Sequence, residues 1–381
     1  MTSDTTVQYC KKCLEPNTRP YSVFDDEGVC LPCRYYEKHD QIDWKARLEE
    51  LDRIAEWGRA RNVSGYDCLI PVSGGKDSHR QAIYCRDNLG LKPLLVSCAY
   101  PPEQQTERGA YNMENLINLG FDCIYVSPSP ETFRKLVKLS FFKYGNLYKA
   151  SELCLYTVGA RTAINYHIPL TIYGENPALQ WGSGGGSLSG DGNNLRDNNT
   201  LQGGDMSWIL EEASFDQRHL FWYNYPDQED IVRAGLRMIY LGYYVRDFND
   251  FQNAAVAMAH GLKIRPQEDE NLRQLGQIYG YTALDCDFIA VNQLMKYVKL
   301  GFGKALEQCS GAIRAGYMSR DEAVELNARY DGQCGEDYIK NFCTYIDVSE
   351  EEFWSVLEGY RNPDLWEPEG NGWRLKFPVP K

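Results

Sequence analysis

Short apolar runs alternate with longer stretches of helical periodicity between residues 43 and 250. The first long stretch predicts an amphipathic helix over 43–61, because apolar residues recur there at helical spacing: Trp44, Leu48, Leu51 and Ala55. Strands that alternate with helices indicate an α/β fold with a doubly wound, mostly parallel sheet. The apolar runs that predict strands are 68–72, 93–98, 122–127, 169–173 and 238–243.

The last third of the chain has a helical pattern. Ser319 with Glu322, and Ser349 with Glu352, have capping-box spacing, in which a serine and an acidic residue satisfy free amides at a helix start. Apolar residues follow each pair at helical intervals. We therefore expect an α/β domain over residues 43–250 and a helical C-terminal region over residues 251–381.

A polar segment rich in glycine and asparagine, residues 182–204, interrupts the pattern after the fourth predicted strand. We expect no core from it. A mobile active-site lid, a docking loop for a partner and a plain solvent loop are the alternatives.

The composition favours a well-packed protein of a reducing compartment. The chain has 381 residues with 43% hydrophobic content, and no stretch is long and apolar enough to cross a membrane. Its start lacks a secretory pattern, and 13 cysteines, an odd number, argue for thiols and metal ligands over disulfides. These features predict a cytoplasmic location. A net charge of −13 without a basic block disfavours a nucleic-acid partner.

Four cysteines near the N-terminus have the spacing of a zinc ribbon. Cys10 and Cys13 form one CxxC pair, and Cys30 and Cys33 form the other. Four thiolates close a tetrahedral site around Zn²⁺ and leave no open position, which indicates a structural metal. We predict a zinc-ribbon module over residues 1–42.

A glycine-rich loop directly follows the first predicted strand. Adjacent glycines allow a sharp turn that exposes backbone N–H groups, and the start of the next helix adds further partners for phosphate oxygens. Its pattern, Ser-Gly-Gly-x-Asp-Ser, is not a Walker A loop and resembles the PP-loop of the ATP pyrophosphatases, with a fold of the adenine nucleotide alpha hydrolase-like type. The resemblance implies that the loop grips the pyrophosphate of ATP while the α-phosphate transfers as AMP. The candidate nucleotide-binding residues are Ser73, Gly74, Gly75, Lys76, Asp77 and Ser78.

A second candidate site follows the fourth predicted strand, in the turn Gly174-Glu175-Asn176-Pro177. Ligands of open α/β sheets lie beyond the carboxyl ends of the strands. Gly174 and Asn176 are candidate contacts of the nucleotide, and Glu175 is a candidate for binding Mg²⁺ or orienting the attacking amine. An ordinary polar turn is the alternative.

Lys76, Asp77 and Glu175 are the candidate catalytic residues. Lys76 would stabilise the charge that develops as pyrophosphate leaves. Asp77 would direct the metal, because ATP carries Mg²⁺ and this cation prefers oxygen ligands. A further lysine-rich segment, 299–304, has two glycines around Phe302; we interpret it as a helix-terminal turn in preference to an anion site.

Together with these motifs, several short patterns resemble the N-acetyl sugar amidotransferases of bacterial surface-glycan synthesis over nearly the whole chain. The resemblance implies a role in lipopolysaccharide O-antigen, pseudaminic acid or related pathways, with conversion of an acetamido group of a nucleotide-linked sugar into an acetamidino group. The patterns are Tyr9-Cys10-x-x-Cys13, Asn17-Thr18-Arg19-Pro20, Asp25-Asp26-Glu27-Gly28-Val29-Cys30-x-x-Cys33, Ile168-Pro169-Leu170, Gly301-Phe302-Gly303 and Arg361-Asn362-Pro363.

The resemblance also implies a mechanism and a partner. The enzyme would adenylate the amide oxygen with ATP, and ammonia would then displace AMP. No glutaminase pattern is found in the sequence, so the resemblance implies a separate glutaminase subunit as the source of ammonia.

Three other functions remain as alternatives. A tRNA thiolase can combine zinc-bound cysteines with a PP-loop, but the acidic charge and the lack of a second cysteine pair in the sequence argue against it. We interpret the remaining cysteines as small core residues. A non-catalytic zinc-ribbon adaptor would have a degenerate loop, whereas the signature is intact. An ATP-dependent ligase of two small molecules also fits, because adenylation does not reveal the nucleophile.

Overall fold

A parallel β-sheet lies at the centre of the protein. The structure is a computed structural model that describes residues 7–182, 187–198, 200–212 and 214–380. Its sheet strands are β1 Cys68–Pro71, β2 Pro93–Cys98, β3 Asp122–Val126, β4 Leu170–Tyr173 and β5 Arg237–Tyr240. All neighbours pair in parallel in the order β3-β2-β1-β4-β5. The prediction of an α/β fold with a parallel sheet is confirmed.

Most helices connect the strands or follow the last one. The predicted helix over 43–61 is confirmed as α2, where Asp43 accepts a hydrogen bond from the Ala46 amide. In chain order the helices are α1 Leu31–Glu37, α2 Trp44–Ala60, α3 Lys76–Asp87, α4 Glu107–Asn118, α5 Pro130–Tyr144, α6 Lys149–Asn165, α7 Ser207–Leu210, α8 Gln228–Arg233, α9 Leu241–Tyr244, α10 Asp250–Ala259, α11 Asp269–Gln274, α12 Ile289–Leu300, α13 Lys304–Arg314, α14 Arg320–Tyr330, α15 Glu336–Ile346 and α16 Glu350–Gly359.

The alternation of side chains along β1 explains why helices cover both faces of the sheet. Successive side chains of a strand point to opposite faces. Leu69 is buried in a core with α5 and α6, whereas Cys68 and Ile70 are buried in a second core with α2, α3 and α4. The sheet is therefore doubly wound, and its strand order reverses between β1 and β4, where such sheets bind ligands.

The fifth apolar run changes conformation before it ends. Residues 238–243 were expected to form one strand, but β5 stops at Tyr240 and the short helix α9 follows. Both parts are buried, and an apolar run alone does not distinguish a buried strand from a buried helical turn.

The C-terminal helices share a core with the α/β part. Phe141 of α5 stacks on Phe353 of α16, with ring centroids 5.6 Å apart, and contacts Phe342 of α15. The serine caps are confirmed, since the Ser319 and Ser349 hydroxyls accept hydrogen bonds from amides in the first turns of α14 and α16. A hairpin of β6 Trp366–Glu369 and β7 Gly372–Leu375 was not expected in this region. The limits of the three domains stay a prediction.

The polar segment 182–204 contributes to the core, against expectation. Leu195 and Leu201 are fully buried, and short 3-10 helices form at Asn193–Asp197 and Gln202–Gly204. A segment without a regular apolar period can still bury single leucines when its backbone lies against the sheet edge, as Asp191 does beside Ile239. The predicted loop also includes residues 183–186 and 199, which lie outside the described residues.

Within the described ranges, none of the helices combines the length and the apolar character needed to cross a membrane.

Candidate functional site

The Ser73–Ser78 loop joins β1 to the start of α3. Gly74 has a φ of +76°, and a Cβ there would lie 3.1 Å from Met113, so glycine suits both the turn and the close packing. The Ser73 amide donates to the Ser78 hydroxyl at 3.0 Å, which closes the loop on itself. Gly75 precedes the first residue of α3, so the loop places the positive end of a helix dipole beside Lys76.

Sequence analysis missed His79, whose side chain contacts the backbone of this loop. Its side chain is completely buried, with Nδ1 3.0 Å from the Gly75 carbonyl and Nε2 3.0 Å from the Asn115 amide nitrogen. Burial lowers the pKa of His79, so the neutral ring donates from Nδ1 and accepts at Nε2. A histidine on a helix gives no such signal in a single sequence.

The turn after β4 brings Glu175 to the same place. The parallel pairing of β1 with β4 sets their carboxyl ends side by side. A Cβ on Gly174 would lie 3.2 Å from Gln81 of α3, so a larger residue would press on the helix that carries the loop. The predicted meeting of the two motifs therefore occurs at the switch point of the sheet.

Asn176 has its amide engaged within the protein. Its Oδ1 accepts from the Leu179 amide at 3.1 Å, and its Nδ2 donates to the Ser187 and Ser189 carbonyls. These contacts support a role in shaping the turn. Nucleotide binding by Asn176 stays a prediction.

A cluster of three carboxylates surrounds Lys76, and we call Asp77, Glu175, Asp250 and this lysine the carboxylate cluster. One oxygen from each acidic side chain lies within 4.8 Å of the others. The Lys76 ammonium lies 2.5 Å from Asp77 and 2.9 Å from Asp250, the first residue of α10. Three partly buried acidic groups around one positive group leave a negative excess that suits a divalent cation.

The electrostatics of the carboxylate cluster reflect this excess. Burial and the neighbouring Asp77 raise the pKa of Glu175 to about 8, while Lys76 opposes the shift. The pKa of Lys76 is raised because attraction to Asp250 and Asp77 outweighs its burial. Lys76 is therefore charged at any physiological pH, and Glu175 is the member that holds a proton most readily.

A buried amide side chain supports the carboxylate cluster. Asn253 of α10 is completely buried and donates to Asp77 at 2.8 Å, while its Oδ1 has no hydrogen-bond partner among the described residues. Carboxylate and amide oxygens are the ligands that Mg²⁺ accepts, usually together with waters. The residues present therefore fit Mg²⁺.

The carboxylate cluster and residues of the Ser73–Ser78 loop line a cavity of about 510 Å³ at the carboxyl ends of β1 and β4. Ligand sites in proteins typically have volumes of this order. The predicted site residues in its wall are Ser73, Gly75, Lys76, Asp77, Ser78, Gly174 and Glu175. The wall also contains residues that sequence analysis did not assign to the site: Asp250, Tyr281, Asp285, Arg19, Trp181, Lys304 and Glu307.

A second charged group borders this cavity, and we call Arg19, Lys296, Lys304 and Glu307 the basic cluster. The Glu307 carboxylate lies 2.9 Å from Arg19, 2.9 Å from Lys296 and 3.2 Å from Lys304. All four side chains are at most one-fifth exposed. The Glu307 carboxylate thus contacts three cationic groups, and Arg19 has Glu15 as a second carboxylate partner.

The segment 299–304 shows how Lys304 comes to the cavity. Gly301 ends α12 with a φ of +77°, and Gly303 precedes α13, so the predicted helix-terminal turn is confirmed. Lys299 points away and donates to the Tyr144 carbonyl at 2.5 Å. Lys304, in contrast, lies 5.0 Å from the Trp181 ring at the cavity wall.

The four N-terminal cysteines form a buried tetrad. The sulfur atoms of Cys10 and Cys33 are 3.8 Å apart, and those of Cys13 and Cys30 are 3.7 Å apart. Sulfurs about 2.3 Å from a tetrahedral zinc would lie about 3.8 Å from one another. The tetrad can therefore hold a structural zinc ion.

The tetrad is attached to α13. Arg314 lies 3.4 Å from the Cys13 sulfur and pairs with Glu15, and the Leu14 amide donates to Ser310. Glu15 also pairs with Arg19. The cysteine tetrad thus supports the basic cluster through the short segment between Cys13 and Arg19.

Two of the cysteines interpreted as core residues lie next to each other. The Cys98 and Cys154 sulfurs are 3.2 Å apart, and Cys98 lines the cavity. Burial raises the pKa of Cys154, which keeps that thiol protonated. Their separation of 56 positions in the chain hid this pair from sequence analysis.

The C-terminal part of the chain matches a known family. Residues 276–377 match the family described as LPS biosynthesis protein WbpG-like, C-terminal domain. This region is similar to a lipopolysaccharide biosynthesis domain. It contains Tyr281, Lys296, Lys304 and Glu307, which lie at or beside the cavity. The match supports a role in lipopolysaccharide or related glycan biosynthesis. No curated protein gives a significant match to the chain.

Proposed function

We propose that this protein is an ATP-dependent amidotransferase of lipopolysaccharide O-antigen or related glycan synthesis. It replaces the acetamido oxygen of a nucleotide-linked N-acetyl sugar with nitrogen from ammonia and releases AMP and pyrophosphate. The observation that carries the proposal is the cavity where the Ser73–Ser78 loop faces the carboxylate cluster. The lipopolysaccharide biosynthesis match of residues 276–377 supports the pathway.

In this proposal the loop and Lys76 bind the phosphates of ATP. The backbone amides at the start of α3 and the Lys76 ammonium face the β- and γ-phosphates. Asp77 and Asp250 of the carboxylate cluster would hold Mg²⁺, with Asn253 donating a hydrogen bond to Asp77, and the bound metal would neutralise phosphate charge. The groups that bind pyrophosphate are thereby in place before it leaves.

The first chemical step activates the amide. The acetamido oxygen attacks the α-phosphorus, the bond from this phosphorus to the bridging oxygen breaks, and pyrophosphate leaves with the electron pair. Lys76 stabilises the growing negative charge on the leaving group. Binding both substrates in one cavity supplies the orientation that a weakly nucleophilic amide oxygen needs.

The second step forms the amidine. Ammonia adds to the imidate carbon, a proton leaves the nitrogen, and the carbon–oxygen bond to AMP breaks. Glu175, which lies in the cavity wall beside the loop, is the group that we assign to receive this proton. A separate glutaminase supplies the ammonia.

The reaction can be tested with the purified protein, ATP, Mg²⁺, ammonium chloride and a panel of nucleotide-linked acetamido sugars. We expect AMP together with a sugar product whose mass reflects exchange of O for NH. Lys76→Met should lower AMP formation about 100- to 1,000-fold. Lys92→Met is the matched control. Lys92 is exposed and directly precedes β2, so it lies at the amino ends of the strands, away from the cavity at their carboxyl ends.

Three results would each contradict one part of the proposal. ATP binding without any AMP-coupled sugar product across the panel would remove the amidotransferase assignment. Equal AMP formation by the wild type and Lys76→Met would remove the loop from the chemistry. Glutamine supporting turnover as well as ammonium, with no other protein present, would refute the separate glutaminase.

A sulfur-transfer enzyme acting on tRNA is the second candidate, and the Cys98–Cys154 pair is the observation that favours it. A thiolase of this kind would use Cys98 to carry sulfur into the cavity. In that case Cys98→Ser would abolish product formation with tRNA and a sulfur donor. In the amidotransferase, Cys98→Ser should leave AMP formation with the sugar within about twofold, because this small residue only contributes to the wall.

A further inference from the structure

The basic cluster has more positive charge than its internal partners neutralise. Arg19, Lys296 and Lys304 share the Glu307 carboxylate. A buried ion pair needs one partner per charge, and surplus buried cations are costly unless another anion arrives. Even with Glu15 beside Arg19, two carboxylates face three cationic groups.

The acidic groups nearest to the cluster have other partners as well. Glu15 contacts Arg19 but is also paired with Arg314, which faces the cysteine tetrad. Asp331 is buried and accepts from the Gly303 and Leu306 amides at the start of α13. Neither carboxylate lies in the cavity wall, whereas Arg19 and Lys304 do.

The shape of this end of the cavity also suits a ligand. Arg19 and Lys296 both lie within 5 Å of the Phe302 ring, which fixes their positions from the protein side. Lys304 is held between Glu307 and the Trp181 ring. The cationic groups of Arg19 and Lys304 thus border one wall of the cavity, while the Ser73–Ser78 loop occupies another part of it.

We propose that the basic cluster is the binding subsite for the diphosphate of the nucleotide-linked sugar. This inference rests on the proposed function, because it assigns a place to that reaction's second substrate. Arg19 and Lys304 contact the diphosphate, and Lys296 supports them through Glu307. The sugar then extends from this subsite toward the Ser73–Ser78 loop, where its acetamido group meets ATP.

The test measures binding and needs no turnover. The protein is saturated with Mg²⁺ and α,β-methylene-ATP, and UDP, UMP and inorganic pyrophosphate are titrated separately by calorimetry. We expect UDP to bind more tightly than UMP. Lys304→Met should weaken UDP binding about 10- to 100-fold without changing the affinity for the ATP analogue. Lys340→Met, an exposed lysine on α15, is the control and should match the wild type.

Glu307→Gln is a second variant, and its expected effect on UDP affinity is opposite to that of Lys304→Met. It removes the shared carboxylate, so the three cations should bind UDP several-fold more tightly, and UDP should raise the Tm more than in the wild type. A purely structural ion-pair cluster would lose thermal stability with no gain in UDP affinity, which would overturn the inference. The same holds if UDP binds the wild type and Lys304→Met equally.

The remaining outcomes separate this inference from the proposed function. No UDP binding with intact analogue binding overturns the subsite and leaves the amidotransferase in place. Pyrophosphate that binds as tightly as UDP, and competes with it, reassigns the cluster to the leaving product and also overturns the inference. No analogue binding by the wild type contradicts the proposed function itself.

Discussion

The carboxylate cluster and the basic cluster have opposite charge arrangements in the wall of one cavity. Three acidic groups surround Lys76 in the first, and three basic groups surround Glu307 in the second. The first cluster has more acidic than basic groups, and the second has more basic than acidic groups even when Glu15, the second partner of Arg19, is counted. An uncompensated buried charge favours a ligand of the opposite sign. The first suits a divalent cation, and the second suits an anion.

The two clusters also differ in what holds them. The carboxylate cluster is built on the carboxyl ends of β1 and β4 and on α10, which packs against α3. The basic cluster combines side chains of α12 and α13 with Arg19, which follows the first two cysteines of the tetrad. Loss of the tetrad should therefore disturb the basic cluster and leave the carboxylate cluster intact.

Asp250→Asn should separate the two clusters most clearly. The change removes a charge that faces both Lys76 and the proposed Mg²⁺, so AMP formation should fall about 10- to 100-fold and require more Mg²⁺. UDP binding should be unchanged. Steady-state rates over a Mg²⁺ series test this, with Asp247→Asn as control, because Asp247 is largely exposed and pairs with Arg80 on the surface. A fall in both UDP binding and activity would show that the clusters are not independent.

A smaller effect is expected from zinc removal or Cys13→Ser. The tetrad positions the segment that carries Glu15 and Arg19, so UDP should bind about tenfold more weakly. Binding of the ATP analogue should change little. Zinc content by mass spectrometry and the two titrations provide the measurement, and Cys123→Ser in β3 is the control cysteine. An equal loss of affinity for UDP and for the ATP analogue would show that the tetrad supports both clusters.

A further prediction concerns the pH dependence of stability at Asp331, beside the basic cluster. Burial raises the pKa of Asp331 to about 6, whereas its usual value is 3.8. The folded state therefore holds this proton more tightly than the unfolded state, and the stability from this group is present at low pH and lost as pH rises from about 4 to about 6.

Asp331→Asn removes this titration. Between pH 4 and pH 7 the wild type should lose up to about 3 kcal/mol of unfolding free energy relative to the variant. Urea unfolding at both pH values measures the difference. Parallel pH profiles of the two proteins would show that the carboxyl of Asp331 does not titrate in this range.

Local sequence determined the elements that meet at the site. The apolar runs, the glycine pair in the Ser73–Ser78 loop and the CxxC spacing depend on neighbours in the chain, so they predicted the strands, the loop and the tetrad. The parallel order of the sheet follows from strand and helix alternation, and it placed Glu175 beside the loop. These features are decided within a few residues or by general rules of connection.

Only the tertiary structure decided which distant charges share a partner. Asp250 reaches Lys76 across 174 positions of the chain, and Arg19 reaches Glu307 across 288. In the sequence Asp250 is an ordinary acidic residue at a helix start, and Arg19 is one cation in a polar stretch. These charges indicate a ligand only after folding has buried them together, because an unbalanced charge is costly only when it is buried.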